Sequence, residues 1–371
     1  MIFGWSTEQE ELRKMVRRFM ENKSASSDVR RLMETPEGYD PAVWSQMADE
    51  LGLQALIIPE KFGGAGFGYV ELVIVMEEMG RALLCSPFFS TIALAANALL
   101  SSTDEVAKGD YLPGIASGDT IATLAYTEAG GKWDLESIRC SATHSDGQWL
   151  ISGEKSFIVD GNLATLILVA ARTPGGVSLF AVDGEASGLS RTSQPTLDQT
   201  RKQAELVFAA TPGRLIGEEG SAGPALERTM DLAAVALAAE QAGGAQKVLD
   251  MSIEYAKDRI QFGRPIGSFQ VIKHMCANML LEVESAKSAA HYAGWTAAED
   301  GEDLGVSACL AKAYCSEAYF HAAGENIQIH GGIGFTWEHD AHLHFKRAKS
   351  SEIMLGDPAY HRNMLVDRIG I

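Results

Sequence analysis

The hydrophobic period of this chain changes twice, and that change constrains the fold more than any single residue does. Up to about Asp119 the apolar residues recur with helical spacing. Leu12, Met15, Val16, Phe19 and Met20 fall at i, i+3 and i+4, and residues 43–51 and 70–84 continue the pattern between glycine and proline breaks. From Thr120 the period becomes two, or collapses into short buried runs at 121–126, 149–151, 166–171, 177–182 and 204–208. Gly, Pro, Asp and Ser bound these runs, which suits an antiparallel sheet or small barrel. After Gly223 helical patterns return and continue to about Arg368, with alanine-rich stretches such as 232–242 expected to pack helix against helix. Residues 220–223 read as a hinge between sheet and bundle. Helices, then strands, then helices imply an α+β fold with segregated layers. The expected domains are an N-terminal helical domain over 1–118, a β domain over 119–222 and a C-terminal helical bundle over 223–371.

Composition removes several function classes. The chain has 371 residues, long enough for two or three units sharing large cores, with an ordinary hydrophobic content of 46%. A formal charge of -18 argues against nucleic acid or an anionic membrane surface as partner. It leaves room for an anionic substrate, because a few local Arg or Lys side chains dominate a pocket. Cys85, Cys140, Cys276, Cys309 and Cys315 are odd in number and lack CxxC spacing, so they read as reduced, mostly buried thiols of a cytoplasmic protein. No metal site is expected, since no His/Cys/Asp/Glu cluster has ligand spacing. Ser6 and Thr7 precede Glu8-Gln-Glu10, a capping-box pattern rather than a signal peptide. No apolar run reaches the roughly 20 residues of a membrane span. The glycine cluster in 59–66 imitates a nucleotide loop, but no strand leads into it and a tight turn before a helix is the expectation.

Four segments carry chemistry. Residues 259–270 read Arg-Ile-Gln-Phe-Gly-Arg-Pro-Ile-Gly-Ser-Phe-Gln, and residues 328–338 read Gln-Ile-His-Gly-Gly-Ile-Gly-Phe-Thr-Trp-Glu. Glycines beside a glutamine and an arginine, each at a helix edge, suit a backbone that approaches a phosphate or a flat ring closely. In the strand region stand Ala125-Tyr-Thr-Glu128 and Glu154-Lys-Ser-Phe-Ile-Val159. In this order and spacing the set closely resembles the acyl-CoA dehydrogenase family, whose R-x-x-F-G-x-x-I-x-x-F-Q and Q-x-x-G-G-x-G motifs stand about sixty residues apart. Its strands carry A-x-T-E-P and G-x-K-x-(W/F)-I-(T/S).

The resemblance covers essentially the whole chain. It implies a four-helix C-terminal bundle, FAD as cofactor, an acyl-CoA substrate, and an electron-transfer flavoprotein or similar acceptor, in fatty acid or lipid catabolism. By the same resemblance Tyr126 and Thr127 meet the flavin ring, and Phe157 covers a ring face by stacking. Val159 stands where a Thr or Ser is usual, a missing hydroxyl bond of about 1 kcal/mol. Arg259 places its guanidinium fork on the FAD pyrophosphate of a neighbouring subunit. Phe262 packs on the cofactor, Gln270 makes polar contacts, and Gln328, Gly331 and Gly332 wrap the adenosine half. Gly356 completes the cofactor-binding set. His330 is a packing or supporting residue. After Thr127 the family's P-x-x-G-S-D is replaced by Ala129-Gly-Gly-Lys-Trp-Asp134, which alters the pyrophosphate contacts.

The departure that bears on catalysis is the base. Dehydrogenation of an acyl thioester requires a carboxylate to take the α-proton within hydrogen-bond reach. The family carries this Glu near the C-terminus in E-G-T-x-x-x-x-R, or on the helix before the Arg259 motif as Glu followed by Arg. Here the first position is Leu355, in Leu355-Gly-Asp-Pro-Ala-Tyr-His-Arg362, and the second is Ala233, followed by Ala234. Glu240 lies seven residues beyond Ala233, on nearly the same helix face. It is either an unconventional base or a structural ion-pair partner, since a Glu on a buried alanine-rich helix is expensive unless paired. Asp357 reads as a cap before Pro358. Three alternatives follow: a homomeric enzyme with Glu240 as base, a family member running other CoA-thioester chemistry, or a base-less subunit. The last is expected in a heterotetramer with a Glu-bearing homologous subunit; otherwise the chain forms a homo-oligomer.

Overall fold

The computed structural model describes residues 4–299, 301 and 303–371. In chain order the elements are α1 (Thr7–Lys23), α2 (Ser26–Met33), α3 (Pro41–Asp49), α4 (Tyr69–Arg81), α5 (Asn97–Ser101) and α6 (Glu105–Ala116). The strands follow: β1 (Ala122–Ala125), β2 (Ser141–Ser145), β3 (Gln148–Val159), β4 (Leu166–Thr173), β5 (Gly176–Asp183), β6 (Leu189–Gln194) and β7 (Gln203–Ile216). Then come α7 (Gly223–Asp258), the two-residue strands β8 (Ile260–Gln261) and β9 (Arg264–Pro265), α8 (Gln270–Ala298), α9 (Leu304–His330), α10 (Ala341–Ile353) and α11 (Pro358–Arg368). The chain forms two compact units. One gathers the chain up to Arg30, Tyr69–Leu84 and Ala234–Ile371; the other gathers Arg31–Gly68 and Cys85–Ala233.

In the helical unit α1 starts on a complete capping box. The Gln9 amide donates to Ser6 Oγ at 3.2 Å, and the Ser6 amide donates to Gln9 Oε1 at 2.9 Å. The crossing of α4 with α7 depends on two glycines. A Cβ at Gly243 would lie 1.8 Å from the Glu77 carbonyl oxygen, and one at Gly80 would lie 2.0 Å from that of Glu240. Neither backbone can retreat, so this contact requires glycine. The bundle of α7, α8, α9 and α10 closes over Val248, Leu249, Met279, Val283, Tyr319 and Ala348.

In the β unit, β4, β2, β3, β7 and β5 pair in a closed circuit back to β4, with β1 added on β4 and β6 on β7. Ile151, Ile158, Ile167, Val169, Phe180, Val182, Leu206 and Phe208 fill its core. The closed circuit matches the barrel alternative of the expected antiparallel sheet or small barrel, but two of the sheet's contacts are parallel. β1 runs parallel to β4, and β2 meets β4 in parallel at Ser141 and Arg172. The glycine cluster before α4 is a tight turn, with Gly63 and Gly66 at φ 80 and 67° and a 3-10 turn over Glu60–Phe62. All five cysteines are free, four of them buried. No described helix is long and apolar enough to cross a membrane, and no group of three or more potential metal ligands occurs among the described residues.

Candidate functional site

Each unit carries one part of the candidate cofactor site. In the β unit the segment after β1 is stitched to β3. The Ser156 amide donates to the Thr127 carbonyl at 3.0 Å, and the Thr127 hydroxyl donates to the Ser156 carbonyl at 2.7 Å. The hydroxyl proton is therefore used, and toward a ligand Thr127 offers an acceptor. Thr123 donates to the Val159 carbonyl at 2.7 Å, so Val159 anchors the strand through its backbone while its side chain is buried. The β3–β7 ladder slips between Lys155 and Ile158, a bulge that re-aims one side chain. That side chain is Phe157, 42% exposed, at a φ of 63° that bulky residues avoid. Its amide donates to Gln194 Oε1 at 2.9 Å, holding the unusual conformation. Tyr126 is buried, stacks on Trp133 with centroids 6.1 Å apart, and donates its hydroxyl to the Trp133 carbonyl.

Two residues that sequence reasoning left without a role organise this region. Lys155 has no exposed surface, and its ammonium donates to the Tyr126 carbonyl at 2.9 Å and to Glu128 Oε1 at 3.0 Å. Glu128 also accepts the amide protons of Arg139 and Cys140, each at 2.9 Å. The A-x-T-E and G-x-K strings contain both residues, and the buried side of an alternating strand was the signal for Lys155. Beside them lies a cleft of about 520 Å³ lined in part by Gly130, Gly131, Lys132 and Glu154. Gly130 would admit a Cβ without meeting any atom within 4 Å, so the backbone there is open to close approach.

In the helical unit the two glycine-containing motifs are brought to one end of the bundle. Ser252 on α7 donates to Asn326 Oδ1 on α9 at 2.8 Å, and Tyr255 stacks on His330 at 4.2 Å between centroids. His330 is the packing residue expected: buried, bonded through Nδ1 to the Asn326 carbonyl, and held below the usual imidazole pKa by that burial. Arg259, Gln270 and Gln328 are all exposed beside this seam. β8 and β9 form a hairpin whose two connecting residues, Phe262 and Gly263, both have positive φ, 53 and 74°. Such a turn suits Gly at both places, and a Phe there is strained. Phe262 is nevertheless 91% exposed. At Gly331, φ 62°, and at Gly332 an added Cβ would meet nothing within 4 Å, so this backbone too is open to a ligand. An exposed guanidinium, exposed rings and bare glycine backbone fit a phosphate joined to flat ring systems.

The two positions where the resemblance would place a base are closed. Leu355 is 4% exposed, in the left-handed region at φ 61°, followed by Gly356 at φ 100°. A Cβ on Gly356 would lie 2.2 Å from the Tyr360 ring, so the turn requires glycine. His361 Nε2 bonds the Leu355 carbonyl at 3.0 Å, and Lys312 donates to the carbonyls of Glu352 and Gly356 at 3.0 and 3.1 Å. Ala233 and Ala234 are buried. Glu240 Oε1 accepts from Arg347 Nη1 at 3.1 Å in an ion pair whose side chains are each about nineteen-twentieths buried. Of the two readings of Glu240, the buried pair is the one present in this structure. Asp357 caps α11, accepting from the Tyr360 amide at 2.8 Å.

Comparison with known proteins agrees with this architecture. The models for the N-terminal, middle and C-terminal domains of acyl-CoA dehydrogenase match residues 6–119, 123–210 and 224–370. The acyl-CoA dehydrogenase IpdE2 of Mycolicibacterium smegmatis is 36% identical over 353 residues, 95% of this chain and 96% of that protein. Among solved structures, a variant of the Tcur3481-Tcur3483 steroid ACAD superposes with a TM-score of 0.88 at 31% identity, covering 98% and 97% of the two chains. The ChsE4-ChsE5 complex from Mycobacterium tuberculosis superposes with a TM-score of 0.90 at 25% identity, covering 100% and 99%. The fold and the paired motifs define a flavoprotein oxidoreductase scaffold whose cofactor is FAD. The chain belongs to the acyl-CoA dehydrogenase family.

Proposed function

We propose that this chain is the base-less subunit of a heteromeric acyl-CoA dehydrogenase, assembled with a Glu-bearing homologous subunit whose flavin site it completes. The carrying observation is the pair of closed base positions. Leu355 is locked in its turn and Ala233 offers no proton acceptor, while the neighbouring Glu240 carboxylate is committed to Arg347. Two of the similar solved proteins are named as pairs of chains, which supports a heteromer. The reaction is α,β-dehydrogenation of an acyl-CoA thioester in the cytoplasm, with an electron-transfer flavoprotein or similar protein as acceptor. Bound FAD supplies the hydride acceptor. In this reading Tyr126, Thr127, Phe157 and Val159 orient the ring system. Arg259 neutralises the pyrophosphate of a neighbour's cofactor, Phe262 and Gln270 flank it, and Gln328, Gly331 and Gly332 hold its adenosine half. Leu355 and Gly356 form an apolar wall where a Glu-bearing chain places its base.

Coexpression tests this. The chain alone and the chain with a Glu-bearing family member are purified and assayed for acceptor reduction by acyl-CoA thioesters of several sizes. General-base assistance is worth about 10²–10⁴ in rate, so the chain alone should fall short of the assembled enzyme by that margin. Robust turnover by the isolated chain, abolished by Glu240→Gln, would return the base role to Glu240 and sink the partner-subunit reading.

A further inference from the structure

The end of β1 and the bulge of β3 are joined by more than their backbone bonds. Lys155 reaches the Tyr126 carbonyl and Glu128, and Glu128 reaches the Arg139 and Cys140 amides. One carboxylate thus ties the segment after β1, the approach to β2 and the strand bearing Phe157. We propose that Lys155 and Glu128 are a positioning pair for the flavin ring, fixing the spacing between the Tyr126–Thr127 edge and the Phe157 bulge. The proposal rests on the assignment of the ring to those two strands and adds a role for two residues outside it.

The energetics favour this over a merely structural role. Lys155 is fully buried and Glu128 partly so, and removing Glu128 leaves the buried ammonium without its counter-charge, whereas replacing both partners by apolar groups of similar volume is often neutral. Stability alone therefore does not explain why a lysine with no exposed surface stands here. What an apolar pair would lack is direction: the ammonium fixes the Tyr126 carbonyl, and the carboxylate fixes two amides at once. Burial pulls the Lys155 pKa below that of ordinary lysine. Burial pushes Glu128 the other way, but the Cys140 amide, the Lys155 charge and the Arg139 amide outweigh it and hold the carboxyl below its usual range.

The test uses the protein as purified with FAD, alone or with its partner subunit, and measures no turnover. Glu128→Gln and Lys155→Met are made singly and together, and Glu128→Asp is made as a variant that keeps both charges but withdraws the carboxylate by one methylene. The readouts are thermal midpoint, visible circular dichroism of the bound flavin and the dissociation constant for FAD. Each single neutral variant should lower the midpoint, and the double variant should recover most of it. The flavin signals should not recover: the double variant and Glu128→Asp should both keep an altered dichroism band and bind FAD about tenfold more weakly, equivalent to about 1.4 kcal/mol. If the double variant does not fold, Glu128→Asp decides alone. Bound flavin with parental dichroism and affinity in the folded variants overturns the positioning pair. A chain that carries no flavin in any assembly overturns the strand assignment and the pair with it, and neither result depends on the acyl-CoA or partner reading.

Discussion

Three of the seven non-glycine residues with positive φ among those described are Phe157, Phe262 and Leu355, at 63, 53 and 61°. The proposed function sets the first two against the flavin and the third where a Glu-bearing chain would place its base. Left-handed backbone costs about 1–3 kcal/mol for a non-glycine residue, and such strain collects at functional sites. Phe262→Gly should therefore relieve strain, leaving the melting midpoint unchanged or raised by the equivalent of up to about 1 kcal/mol while weakening FAD binding. A large loss of stability with full flavin retention would show that Phe262 serves the hairpin instead. Arg259→Ala should leave the fold intact, because the side chain is exposed, yet strip flavin on dialysis. Retention of a full complement would refute its pyrophosphate role. Glu240→Gln acts oppositely. It removes the carboxylate charge from the buried pair with Arg347 and should cost up to about 3–5 kcal/mol in urea unfolding, whereas an unchanged midpoint would show that the pair carries no structural load.

Elements tell a different story from residues, because glycine has two meanings on the helices of the bundle. A Cβ at Gly243 would lie 1.8 Å from a carbonyl on α4, whereas one at Gly324 on α9 would meet nothing within 4 Å. Gly243→Ala should destabilise by about 1–3 kcal/mol or more through forced separation of α4 and α7. Gly324→Ala should stabilise by up to about 1 kcal/mol through helix propensity alone. Equal effects, read from chemical unfolding of the flavin-free chain, would contradict the packing argument. The sequence could not distinguish these glycines, because their difference lies in what crosses them. The strands show the same boundary. β1, β3, β4, β5 and β7 were legible as apolar runs, whereas Ser141–Ser145, inside the circuit, and Leu189–Gln194, at its edge, are polar strands whose only signature is the partners they pair with. The parallel contacts of β1 and β2 with β4 were invisible for the same reason. On the candidate site, motif spacing singled out Arg259, Phe262, Gln328 and the glycines for the proposed cofactor role. The Lys155–Glu128 network was missed because each residue looked like an ordinary strand charge until a third segment, at Arg139 and Cys140, came beside it.

At the scale of the molecule, buried titratable groups outside the cofactor segments set how stability follows pH. His344 and His361 are pushed down to about 3, chiefly by burial and secondarily by the Lys247 and Lys312 ammonium groups respectively. An unfolded chain takes up these protons below 6.5 while the folded chain does not, so their contribution is present above 6.5 and is lost as pH falls toward 3. Lys312 is pulled from 10.5 to about 7 by the same cause, burial. Among the described residues its ammonium donates to Ser316 Oγ and two carbonyls and forms no ion pair with a carboxylate. Between 7 and 10.5 the unfolded chain holds a proton that the folded chain has released, so stability rises with pH across that window, by at most about 1.4 kcal/mol per unit. Cys315 and Cys140 act in the opposite sense. Burial raises them to about 12 and about 11, so the folded chain keeps thiol protons that the unfolded chain loses above 9.0, and that contribution declines as pH rises further. The window in which the thiols do not oppose Lys312 is therefore 7 to 9, and Lys155 and Lys202, both lowered chiefly by burial, act there in the same sense as Lys312. Urea midpoints of the flavin-free chain should climb from 3 to 6.5 and climb again from 7 to 9. Lys312→Met should lower the whole curve, because it leaves the Glu352 and Gly356 carbonyls without their donor, and should make the second rise shallower while keeping the first. A parent profile that is flat from 7 to 9, or a variant that rises there as steeply as the parent, would mean that Lys312 keeps its proton inside the fold.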